Sequence, residues 1–179
     1  LQNWVEQHGK AAFQQAVSGG QHCHPDGLFF SGREPTWSHT TLRQVLHEHA
    51  GHARHVGWID LHTGLGPSGV GERIFACKDD AAALVRTRAW WGSEATPITS
   101  IYDGSSTSAR LTGLMWSAVE DECPQAQYTG IALEYGTVPW SETLFALRAD
   151  HWLALHPEAS AEQAEQAPVR QFRDWLRSQ

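Results

Sequence analysis

The sequence predicts an α/β fold, a mixed and largely parallel sheet flanked by helices. Three observations carry this. Short, continuously apolar runs at Val56–Leu61 and Gly130–Tyr135 suit buried strands, Arg73–Cys77 (RIFAC) is a third strand of the same kind, and amphipathic helical stretches alternate with them. In chain order, 3–18 reads as a helix with Trp4, Phe13 and Val17 on its apolar side, ended by Gly19 and Gly20. A loop dense in Pro and Gly follows, QHCHPDGLFFSGREPTW. Ser38 then caps a helix with Leu42, Val45, Leu46 and His49 at i, i+3, i+4, i+7 spacing, closed by Gly51. The first strand ends on His62. After the second, Asp79 caps a helix through Leu84, Val85 and Trp91 to a Gly92 stop. The stretch 93–128 is loop-rich, with a short helix around Leu114 to Val119. Beyond the third strand, Pro139 and Ser141 open a long helix carrying Leu144, Leu147, Trp152 and Leu155. The tail from Ala161 reads as a polar helix with Val169, Phe172 and Leu176 on one face.

Composition narrows the function classes. The 179 residues make one domain with room for a sizeable core. Net charge is −7 with no basic block, so neither nucleic acid phosphates nor anionic lipids are expected partners. No apolar run is long enough to span a membrane, and LQNWVEQHGK lacks the layout of a signal peptide, so the expected location is cytoplasmic. Cys23, Cys77 and Cys123 are odd in number and lack CxxC spacing, which reads as reduced thiols. Nine tryptophans and eleven histidines stand out for a chain of this length.

In open α/β sheets, ligands gather beyond the carboxyl ends of the strands. Two strands each end there in an ionisable group, His62 after WIDL and Glu134 after GIAL. Gly64 and Gly136 follow within two residues and free the backbone to turn. The two groups are distant in the chain, so only the fold can join them. Two readings stay open: a strand-end His and Glu satisfied by local backbone, or a metal ligand and a catalyst. Asp60 lies on the same face as His62, as a carboxylate bracing a metal-bound imidazole does. Glu72, in GVGERI, points either into the same cleft or at solvent. HEHAGHARH (His47 to His55) and QHCH (His22, Cys23, His24) contain metal-capable side chains, but the first reads as a solvated helix end and the second as adjacent residues that rarely converge on one ion.

The blocks HPDGLFFSGREPTWS, WIDLHTGLGPSGVGERI and YTGIALEYGTVPWSETLFALRADHWL occur in this order, within a resemblance that runs from Trp4 to about His156. They resemble a bacterial uncharacterised family, a domain of unknown function, related to the zinc carboxypeptidases. The resemblance implies a zinc-carboxypeptidase-like fold of which this chain is the C-terminal half. It also implies a hydrolase with one zinc ion, held in part by a strand-end histidine similar to His62, and a catalytic glutamate similar to Glu134. ITSIYDGSSTS resembles the clan's substrate-closing loop, which would give Tyr102 a substrate contact. The departures are definite. No HxxE motif occurs in the chain, and no counterpart of the clan's carboxylate-gripping Asn-Arg pair is found; Arg33 in GREP has no matching surroundings.

Three functions follow. One is a zinc-dependent hydrolase of this clan, cleaving a peptide or small amide bond and incomplete without further ligands. Another is an N-acyl-amino-acid deacylase of the aspartoacylase and succinylglutamate desuccinylase type, which shares DLHT. The last is a non-catalytic α/β binding domain without metal. A half-domain would also leave a sheet edge exposed, so self-association is expected.

Overall fold

A computed structural model describes residues 2–157. The α/β expectation holds: four strands form a mixed sheet with helices packed around it. The first segment is two helices, α1 (Gln2–His8) and α2 (Lys10–Ser18). Gly9, at φ 84°, breaks them where a single helix is predicted, because a left-handed residue cannot continue an α-helix. Helix α3 (Trp37–Ala50) starts one residue before the predicted cap. The cap is Thr36, whose side chain accepts from the His39 N–H. Strand β1 (His55–Ser68) is followed by β2 (Gly71–Phe75) and α4 (Ala81–Trp91). Asp80, rather than Asp79, caps α4, its carboxylate accepting from the Ala83 N–H at 2.6 Å. A two-residue strand β3 (Ile98–Thr99), helix α5 (Ser117–Glu122), strand β4 (Gln127–Gly136) and α6 (Trp140–Leu155) complete the described chain. The short helix begins later than the predicted Leu114, and the predicted tail helix lies outside the described residues.

The strand order is β1-β4-β2-β3. β1 and β4 run parallel, as do β2 and β3, while β2 opposes β4, so the sheet is largely parallel with one antiparallel seam. The last strand in sequence thus sits in the middle, inserted between β1 and β2. That insertion places the end of β4 beside the end of β1. Helix α4 packs on β4, and the buried hydroxyls of Thr87 and Thr129 join the two elements at 2.8 Å. Helices α3 and α5 pack together, tied by Arg43 to Asp121 (3.1 Å) and Glu122 (2.7 Å). The core between these layers is built by Leu46, Phe75, Trp116, Val119, Tyr128 and Ile131. β1 pairs on one side only among the described residues, and its Leu61 and Ile59 are exposed. Among the described residues no helix is long and apolar enough to cross a membrane.

Candidate functional site

The register of the sheet brings together what the sequence keeps apart. His62 stands opposite Glu134 across the β1–β4 pair, and Glu134 stands opposite Glu72 across β4–β2. Residues directly opposite on neighbouring strands project to the same face, so these side chains form one cross-strand row. Asp60, two residues before His62, shares that face.

Within the row the imidazole contacts one carboxylate and faces a second. His62 Nε2 lies 3.0 Å from Asp60 Oδ2, and His62 Nδ1 lies 4.0 Å from Glu134 Oε2. Glu134 is buried, 7% exposed, while about half of His62 is open to solvent. The other Glu134 oxygen, Oε1, accepts from the Leu65 N–H at 3.1 Å. That bond depends on the glycines around Leu65. Gly64 and Gly66 adopt φ of 134° and 87°, which lets β1 turn back over the end of β4. Beyond the turn the register shifts, and Ser68 pairs with Gly136.

Glu72 is committed elsewhere. Its carboxylate accepts from Thr99 Oγ1 at 2.5 Å, from the Thr107 N–H at 3.1 Å, and from the Thr107 hydroxyl. It therefore pins the loop after β3 to the sheet. Two amides of α2 hold the same loop, Gln14 donating to the Thr107 carbonyl (2.6 Å) and Gln15 to the Arg110 carbonyl (3.0 Å). The anchored loop forms one wall of a cleft of about 290 Å³ whose floor includes Asp60, His62 and Glu134. Its other walls are mainly apolar, with Leu65, Ile74, Ile101, Leu114, Met115 and Trp116. No arginine or lysine lines this cleft among the described residues.

Tyr102 lies outside the lining of this cleft. Its hydroxyl donates to the Cys77 carbonyl at 3.0 Å, its ring meets Phe75 edge-on, and the Arg110 guanidinium lies 5.5 Å from the ring centroid. Burial pushes the phenol above its ordinary pKa. Here the side chain braces the loop rather than lining the cleft. Arg33 is exposed and away from it. His47 turns to Glu122 at 3.5 Å, and the Gln21 side chain accepts from the Cys23 and His24 N–H groups.

The donor set can be tested against zinc. An imidazole with one ring nitrogen on a carboxylate and the other facing a second carboxylate suits a single ligand position. Catalytic zinc takes three protein ligands plus water. No group of three His, Cys, Asp or Glu side chains among the described residues is arranged to hold an ion. The described residues therefore fit one ligand of a zinc centre and do not make a complete one. The features that sequence reading missed are the Leu65 N–H and the clamp on the loop after β3. The paired glycines around Leu65 were the only signal for the first; the second involves residues with no motif.

These observations define a class: an α/β domain with a strand-end imidazole–carboxylate pair on the floor of an apolar cleft. The family described as "Protein of unknown function (DUF2817)" matches residues 1–178, and the chain belongs to that family. No curated protein and no solved structure matches the chain.

Proposed function

We propose that the chain carries the general-base part of a zinc-dependent hydrolase related to the carboxypeptidase clan, cleaving a peptide or small amide bond. The observation that carries this is the His62–Glu134 pair, brought by register to one cleft with Asp60 behind the imidazole. Glu134 is the base. Its Oε1 is tied to the Leu65 N–H, which leaves Oε2 turned to His62 and the cleft. From there it takes a proton from water and passes it to the leaving nitrogen, help typically worth ~10²–10⁴-fold. Asp60 fixes the imidazole orientation and leaves Nδ1 as this chain's ligand atom. Zinc, when bound, supplies polarisation of the scissile carbonyl and a more acidic water. The apolar walls favour a substrate group without charge at that position.

The test is a hydrolysis screen in added zinc, setting C-terminal dipeptides against N-acyl amino acids, on the protein supplied with the zinc ligands that the described residues lack and on its Glu134→Gln variant. Cleavage of either class, reduced ~10²–10⁴-fold in Glu134→Gln with zinc content unchanged, is the expected result. Preference for N-acyl amino acids would select the deacylase reading. Zinc absent from both that protein and its His62→Ala variant, with no cleavage of either class, would leave the non-catalytic binding domain.

A further inference from the structure

A second cleft, of about 300 Å³, is lined in part by the Leu65 turn. Leu65 lines both clefts, and its N–H is the group that holds Glu134. One wall of the second cleft is backbone almost without side chains, Gly64 and Gly66, where an added Cβ would meet nothing within 4 Å. Ser68, Thr137, Val138, Pro139 and Trp140 complete the lining. Trp140 is half-buried and set edge-on to Phe13, with ring centroids 6.5 Å apart. A cleft lined by bare backbone and an indole accepts a flat group better than a branched one.

We infer that this slot is a second substrate subsite, holding a planar aromatic group on the opposite side of the scissile bond from the apolar cleft. The inference rests on the hydrolase reading for the scissile bond; the slot and the Leu65 it shares with the first cleft do not. A substrate filling both clefts passes Leu65, whose N–H holds the carboxylate, so the preferred substrate is an extended amide with an apolar group on one side and an aromatic group on the other. Trp140 is the residue that determines the second preference.

The probes are N-benzoyl-leucine amide and N-acetyl-leucine amide, titrated by calorimetry on the full chain carrying Glu134→Gln, which keeps turnover out of the measurement. The benzoyl compound is expected to bind roughly three- to ten-fold tighter, the range of an added aromatic pair. Trp140→Ala should erase that difference and leave the acetyl compound unchanged. Trp140→Phe should retain part of it, which separates loss of stacking from loss of fold. Equal binding of the two probes, a preference that survives Trp140→Ala, or no binding of either would overturn the subsite. A preserved preference with no hydrolysis in the protein supplied with the missing zinc ligands would remove the hydrolase reading alone.

Discussion

Gly136 decides how closely the turn after His62 can approach the end of β4. A Cβ at this position would collide with the carbonyl oxygens of Gly66 and Pro67. Gly136→Ala must therefore push away the segment that carries the Leu65 N–H. The expected cost is roughly 2 kcal/mol or more, read by urea denaturation, because the colliding atoms are backbone and cannot rotate aside. The cysteines give a second test at this scale. Burial pushes the Cys77 thiol up to about 11, and Cys77 and Cys123 are enclosed while Cys23 is exposed. A thiol reagent near neutral pH should label Cys23 and spare the other two until the protein unfolds. The raised Cys77 value also has a sign. The unfolded thiol loses its proton first, so this contribution is full below the unfolded pKa of ~8.5 and is lost as pH rises to about 11. Thermal melts across that window should fall, and less so in Cys77→Ala once its own lower baseline is subtracted. Residue types alone indicated His62, Glu134 and the free thiols. They could not indicate that Tyr102 spends its hydroxyl on Cys77, since a tyrosine in a loop reads the same whether it faces ligand or backbone.

Among the elements, α4 and the loop after β3 are the two whose attachment matters most for the cleft. The Asp80 cap satisfies one of the open N–H groups of α4, so Asp80→Ala should cost about 1 kcal/mol in chemical denaturation without touching substrate contacts. Glu72→Ala removes the acceptor for Thr99 and Thr107 together. Its loop should then show faster amide hydrogen exchange around Thr107, with the sheet protected as before. Helices α3 to α6 and strands β2 and β4 were legible in the sequence to within a few residues, and the larger deviations elsewhere have local causes. Both Asp79 and Asp80 can cap, and pattern alone does not say which leaves the helix. β1 runs on to Ser68 because, past glycines that look like a break, Ser68 pairs with Gly136 after a register shift. β3 has two residues, too few for any periodicity.

At the level of the whole molecule, β1 is both the strand that presents His62 and the edge of the described sheet. Leu61 is 73% exposed there and Ile59 48%. An edge with apolar side chains and no lysine invites pairing with another strand. Light scattering should show association rising with concentration, and Leu61→Lys should suppress it. The strand order itself was beyond sequence reading, since nothing in GIALEYG says that it enters between the two earlier strands. That order also has a kinetic side. Leu65 and Glu134 lie 69 positions apart, and the parallel β1–β4 pair that joins them has no hairpin to start it. Closing so long a segment delays the contact relative to the helices and the local turns. The cleft floor is then among the last parts of the protein to assemble. During refolding, helical signal should return before probe binding does, and the lag between them times the arrival of the last strand.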